Sequence, residues 1–256
     1  TRYRSSAASD VYKRQSRARV LPPEQLLDRL TRRFDLLDSQ ADTLPARQRT
    51  LRAALSWSWD LLSPAEQLTL AQLSVCEGGF TIEAAEAIVD LSDLDDGDEY
   101  WIEDLLAELV DSSLLQSRLH ATTETTRLSM LVSVHAFARE QLQHTADTWL
   151  RHGAYFSDMG TDAHVRLANT RNGQQWRAAM IAETSNLVVA ARRAIERADH
   201  HQAARLICGV VDATFTISAM TVAIELLHTL RRVWPAEVSR PYARLLFRCG
   251  GVAVHA

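Results

Sequence analysis

Residues 101–131 read WIEDLLAELVDSSLLQSRLHATTETTRLSML, and this stretch decides the fold. Ile102, Leu105, Leu106, Leu109 and Val110 recur at helical spacing, so Trp101–Ser112 reads as a helix with these five inward. Leu114–Leu119 and Thr126–Leu131 are short β-like runs on either side of the polar His120–Thr125 turn, the pattern of a hairpin. Upstream, Ser63-Pro64-Ala65-Glu66 is a helix start. Ser63 caps, Pro64 suits the first helical position, and Glu66 returns a bond to the cap residue. That helix is expected to end near Leu73. Gly78-Gly79 then marks a turn needing positive φ at one glycine or both, and Thr81 caps a helix through Val89. The acidic stretch Asp90–Glu99 is a loop. Helices followed by a two-stranded wing give the element order of a winged-helix domain.

Outward from this centre the chain reads as helix. Leu26, Leu27, Leu30, Phe34 and Leu37 follow helical spacing after Pro22-Pro23, and polar Ser39–Pro45 breaks the run. Arg47–Leu62 places Leu51, Ala54, Leu55, Trp59 and Leu62 on one face. Trp57 and Leu61 lie off it and imply a second packing surface. Val134–Gln143 returns to helix after the wing. Beyond Thr145, helical segments fall near 147–168, 174–198, 200–217, 219–234 and 239–254. Paired amphipathic helices with short polar joints imply an α-solenoid, since each pair needs a neighbour to cover its apolar face. The expected fold is therefore mainly α, a winged-helix domain with a small β-hairpin followed by a tetratricopeptide-like helical array. The expected boundaries are 1–19, a disordered or non-native basic tail; 20–46, the end of a helical domain; 47–145, the winged helix; and 146–256, the array. The final Val252-Ala253-Val254-His255-Ala256 offers no polar capping helix, so the array is expected to be cut short.

Charge is strongly divided along the 256 residues. Lys13 is the single lysine among 28 basic residues, and no basic residue lies between Arg52 and Arg118. Fifteen acids fill that gap, a formal charge of −15 in a chain whose total is −4, so the remainder carries +11. The acidic part should repel nucleic acid. Cys76, Cys208 and Cys249 are far apart and odd in number, which fits a reducing cytoplasm better than a disulfide framework. No apolar run reaches the roughly 18 residues of a membrane span, and no hydrophobic signal opens the sequence.

The search for chemistry returns no catalytic, cofactor-binding or metal-ligating residue. A P-loop needs glycine-rich backbone and a following lysine, and no glycine here precedes a lysine. Gly97 at the sixth position of a calcium loop would put Glu103 at the twelfth, but Leu94 would occupy a ligand position and cannot coordinate. A solvated acidic loop is the better reading. The nine histidines show no HExxH and no cysteine pair at finger spacing. His200-His201 read as a helix start, His135 lies near the wing, and His144 and His152 are packing or surface residues. No nucleophile-elbow spacing singles out a triad. Trp57 and Trp59 sit in an apolar helical pattern without basic neighbours, which favours packing over base stacking. In helix-turn-helix proteins the second helix of the motif enters the major groove. Here that helix, 101–112, carries Glu103, Asp104, Glu108 and Asp111 with no arginine or lysine, so direct DNA contact is not expected.

Several stretches together resemble the middle portion of large bacterial signal-transduction NTPases with numerous domains, including ATP-binding LuxR-type and antibiotic-regulatory-protein-type transcriptional regulators. The carriers are Arg47–Ala54 with Trp57–Leu62, Leu73–Thr81, Glu83–Ala87, Leu109–Leu114, Arg127–Leu131 and the helix ending Phe137-Ala138-Arg139-Glu140. Glu183–Ala190, ETSNLVVA, resembles a recurring segment of the tetratricopeptide-like region of such proteins. The resemblance implies an upstream P-loop core that binds ATP or ADP, a short helical domain, a winged helix and a superhelical array that binds protein partners. It also implies that this chain begins after the core and carries no cofactor of its own. Its partners would then be that core and proteins held by the repeats, with no membrane contact. Such NTPases often carry a Met-His-Asp triplet at the end of the wing, where this sequence reads Met130-Leu131-Val132, so nucleotide sensing does not carry over to these positions. The expected function is a non-catalytic regulatory and interaction segment relaying nucleotide state, with a DNA-binding winged-helix factor and a stand-alone helical protein-binding scaffold as alternatives. Arg47, Arg49 and Arg52 would form interdomain ion pairs or a solvated helical face.

Overall fold

The structure, a computed structural model, describes residues 51–94, 100–161, 173–215 and 221–234. The chain falls into two compact units, residues 1–61 and 62–256. In the first, the described part is α1 (Leu51–Asp60), in which the Ser58 hydroxyl donates to the Ala54 carbonyl at 3.0 Å. The apolar stripe expected on this helix is only partly covered. Leu55 is buried, Ala54 and Trp59 are half-buried, and Leu51 lies exposed. Trp57 and Leu61 are exposed too. The expected helix after Pro22, the segment 239–254, and Arg47 and Arg49 lie outside the described residues; Arg52 is exposed on α1.

The second unit begins with the winged helix: α2 (Pro64–Leu73), α3 (Ile82–Ile88), α4 (Ile102–Asp111), β1 (Leu115–Leu119), β2 (Thr126–Met130) and α5 (Val132–Gln141). Local side-chain caps fix the starts of α2 and α3. The Ser63 hydroxyl accepts from the Glu66 N–H at 3.3 Å, and the Ser63 N–H donates to the Glu66 carboxylate at 2.6 Å, the reciprocal capping box read from the sequence. The Thr81 hydroxyl caps α3 by accepting from the Ala84 N–H. Gly78 and Gly79 have φ of +76° and +101°, so both glycines meet the backbone demand expected of that turn. β1 and β2 are antiparallel, with Leu115 opposite Met130 and Leu119 opposite Thr126. One pairing was not legible in the sequence: Phe80 exchanges two backbone hydrogen bonds with Leu128, each 2.8 Å, adding a one-residue third strand to the wing. A single bridging residue carries no alternation to read. Leu70, Leu73, Phe80, Ile88, Leu106, Leu109, Leu115 and Leu128 form the buried core around which α2, α3, α4 and the wing close.

A helical array follows: α6 (Thr145–Ser157), a 3-10 turn (Asp158–Gly160), α7 (Gly173–Ala182), α8 (Thr184–Glu196), α9 (His200–Phe215) and α10 (Thr221–Val233). The fold is thus mainly α, a winged helix with a small antiparallel hairpin and a helical array. The helix expected over 147–168 ends at Ser157, and the part beyond 161 lies outside the described residues. The single helix expected over 174–198 is two helices, interrupted at Glu183. α9 is the centre of the array, with Ala203, Ala204, Leu206, Ile207, Val210 and Val211 buried. Gly160 lets the 3-10 turn press on it, since a Cβ there would stand 1.9 Å from the Arg205 carbonyl oxygen. α6 packs on α3 of the winged helix and on α8 of the array, and so joins the two layers.

Candidate functional site

No single side chain holds the winged helix to the array; a buried polar junction does. β2 places Arg127 toward the array because alternate residues of the strand face opposite ways, and Leu128 takes the core side. Arg127 forms an ion pair with Glu183. The two side chains are 13% and 3% exposed, so the pair is largely removed from solvent. The Arg127 Nη2 also donates to the Gly79 carbonyl at 3.1 Å and to the Ala182 carbonyl, the last of α7, at 3.3 Å. Asn186, fully buried on α8, completes the network. Its amide nitrogen donates to Gly79 O at 2.9 Å and to the Glu183 carboxylate at 2.7 Å, while its Oδ1 accepts from the Glu77 N–H at 2.7 Å. The wing, the glycine turn and the α7–α8 joint therefore share one set of hydrogen bonds. A desolvated charge pair keeps its charges only when its remaining donors and acceptors are met, and here they are.

Two further arginines extend the junction. Arg139 on α5 donates from Nε to Ser74 O at 3.0 Å and pairs with Glu77 at 3.2 Å. Its guanidinium lies 5.1 Å from the Trp149 ring centroid, and Arg193 of α8 lies 4.9 Å from the same ring. Burial lowers the Arg139 pKa, Glu77 opposes that shift, and Arg193 adds to it. Arg151 on α6 reaches back to the end of α3. It donates to Ile88 O at 2.7 Å and Gln72 Oε1 at 2.7 Å and pairs with Asp90 at 3.3 Å. A cation beside the C-terminal carbonyl of a helix is electrostatically favoured. The Asp90 carboxyl is held below its ordinary range first by hydrogen bonds from Ser92, with Arg151 a smaller influence.

Several of the described histidines take structural places. His135 Nε2 lies 3.1 Å from Cys76 O, His200 Nε2 lies 2.8 Å from Val233 O at the end of α10, and exposed His144 stands 3.9 Å from Asp93. His152 is fully buried between Trp149 and Phe156, its ring nitrogens without a hydrogen-bond partner. Burial pushes its pKa down to about 3, against a smaller opposing influence of Asn186, so it packs as a neutral ring. Cys76 and Cys208 are buried, and burial together with Glu183 raises the Cys76 thiol far above its ordinary range. Among the described residues no group of three or more His, Cys, Asp or Glu is placed to hold a metal ion.

The outward face of α4 carries Glu103, Asp104, Glu108 and Asp111, all exposed, with exposed Trp101 at its start. Leu105, Leu106 and Leu109 are buried beneath, and Ile102 and Val110 half-buried, close to the inward set read from the spacing. Of the hairpin's two strand arginines, Arg118 is exposed and Arg127 is committed to Glu183. A carboxylate about 7 Å from a phosphate costs about 0.6 kcal/mol in water-like dielectric, and no described basic residue on α4 offsets it.

Residues 62–143 match the winged helix-turn-helix domain family. Over 156 residues the chain is 32% identical to a candidate HTH-type transcriptional regulator of Mycobacterium tuberculosis strain H37Rv, covering 60% of this chain and 17% of that protein. A candidate regulator of the same description from Mycobacterium bovis matches to the same extent. An uncharacterized protein of M. tuberculosis H37Rv is 33% identical over 132 residues, 52% of this chain and 33% of its own length. The chain therefore spans about a sixth of the length of the two regulators. No solved structure matches significantly. The comparisons indicate no catalytic family, and no described helix is long and apolar enough to cross a membrane.

Arg127, Glu183, Asn186, Arg139 and Arg151 were not singled out as a site by sequence reasoning. A signal was present, because Arg127, Arg139, Glu183 and Asn186 all lie in stretches quoted for the family resemblance. Their pairing spans more than fifty residues of chain, and spacing rules see only neighbours along one element.

Proposed function

We propose that this chain is the non-catalytic regulatory segment of a bacterial transcriptional regulator built on an NTPase core. In this reading the winged helix packs on that core, which binds ATP or ADP, and the helical array binds protein partners. The junction then carries changes at one surface to the other, because the wing cannot move without disturbing Glu183 and Asn186. The observation that carries the reading is the exposed face of α4, four carboxylates without a basic residue, where a groove-reading helix needs cations. A cytoplasmic location follows from this role.

A second reading, direct DNA binding by the winged helix, is favoured by the family match and by the relatives described as HTH-type regulators. The two separate experimentally. The NTPase segment encoded upstream in the same reading frame, expressed alone, should bind this chain, and charge reversal at Glu103, Asp104, Glu108 and Asp111 should weaken that binding. A reading frame with no upstream P-loop, or unchanged binding after charge reversal, would overturn the relay.

A further inference from the structure

The α7–α8 joint carries an inference that rests on the relay reading for its purpose but not for its geometry. Residues 174–196 contain neither glycine nor proline, and their spacing fits one helix. The structure breaks this run at a single residue, Glu183, with φ −94° and ψ 4°. Backbone continuity is nearly kept, since the Glu183 N–H still bonds Ala179 O at 3.1 Å and its carbonyl accepts from the Leu187 N–H at 2.9 Å. A sharp break in a helix has an identifiable cause such as proline, paired small residues or an inserted side chain. Here the Thr184 hydroxyl donates locally to the Ile181 carbonyl at 2.8 Å, and a second group comes from another element. Arg127 binds the Glu183 carboxylate and also donates to the carbonyl of Ala182, the last residue of α7.

We propose that Glu183 is a hinge and that Arg127 of the wing is the latch holding it bent. With the latch closed, the guanidinium supplies the donor that Ala182 O would otherwise take from the next helical turn, and the bend costs no unmet carbonyl. With it open, the helical propensity of the run favours a continuous α7–α8 rod. α7, which packs on α9, is the less deeply anchored of the two, because only Gly173 and Met180 of its ten residues are fully buried, whereas α8 buries Asn186, Leu187, Ala190, Ala191 and Ala194. A displacement of the wing would thus change the direction of an array helix without unfolding either layer. Arg127 acts here as a positioning residue.

Spin labels at Gln175→Cys and Arg192→Cys, both exposed and on opposite sides of the hinge, read the bend directly in the 256-residue chain with its native cysteines replaced. An uninterrupted helix would separate the two positions by about 26 Å along its axis. The latched chain should give one narrow distribution at shorter distance. Arg127→Met should add a component near about 26 Å, and Arg127→Lys, which keeps a cation and its donors, should retain the narrow one. Glu183→Gln provides the same reading if Arg127→Met does not fold. Distributions unchanged by both single variants would overturn the hinge while leaving the relay standing. Failure of the unsubstituted chain to bind the NTPase segment, with a normal hinge response, would do the reverse.

Discussion

Arg127→Met is the perturbation whose cost the structure specifies best. It removes one partner of a pair whose carboxylate is 3% exposed, leaving Glu183 buried with Asn186 as its remaining donor. It also leaves the Gly79 and Ala182 carbonyls with fewer donors. Breaking a buried pair from one side costs about 3–5 kcal/mol, and the 13% exposure of Arg127 places this one at the lower end, about 3 kcal/mol. Glu183→Gln keeps a hydrogen-bonding side chain and should cost about 1–2 kcal/mol. The double variant should lose at least about 1 kcal/mol less than the sum of the two singles, because the first substitution has already broken the pair. Urea unfolding followed by far-ultraviolet circular dichroism measures all three. With a slope of about 2–3 kcal/mol per molar, Arg127→Met should lower the midpoint by roughly 1–1.5 M. A loss under about 0.5 kcal/mol with strictly additive singles would show that the pair behaves as a solvent-screened surface contact, and the junction would lose its anchor.

Gly79→Ala should destabilise the winged helix by at least about 2 kcal/mol. Its φ of +101° strains any side chain, and the new Cβ would stand 2.7 Å from Leu128 O; thermal melting of the purified variant checks this. Gly160→Ala should cost several kcal/mol or leave the array unfolded, because its Cβ meets backbone of α9 and not a flexible side chain. His152 makes stability depend on pH. Its pKa is about 3 in the folded chain and 6.5 when unfolded, so the unfolded state binds the extra proton. Its contribution is complete above pH 6.5 and declines by up to about 1.4 kcal/mol per pH unit as pH falls toward 3. His152→Phe should flatten the denaturation midpoint against pH over that window, and an unchanged slope would show that His152 is not the group responsible.

The legible parts of the fold were those written locally. Ser63 and Glu66, Thr81, the two glycines at 78 and 79 and the five apolar residues of α4 each act within one or two turns of chain, and each reads correctly from spacing alone. What could not be read were effects imposed from elsewhere. The break at Glu183 has no proline or glycine to announce it, and the arginine that binds it, Arg127, lies fifty-six residues away. Phe80 pairs with Leu128 across the winged helix, a contact that one residue of strand cannot signal. The half-covered stripe on α1 shows the converse, a helical pattern whose apolar face the sequence alone could not assign to a partner. Of the candidate site, the negative part was legible, since α4 shows its carboxylates in sequence order. The positive part, three arginines holding two layers together, required the fold.

Fluorescence anisotropy of a labelled random-sequence duplex, titrated with the 256-residue chain between about 50 and 200 mM salt, tests the central claim most directly. The account predicts no saturable binding at either salt concentration, and no change on Arg118→Ala. Tight binding whose logarithmic affinity falls steeply with the logarithm of salt, a slope near −0.9 for each phosphate contacted, and which Arg118→Ala weakens, would contradict it.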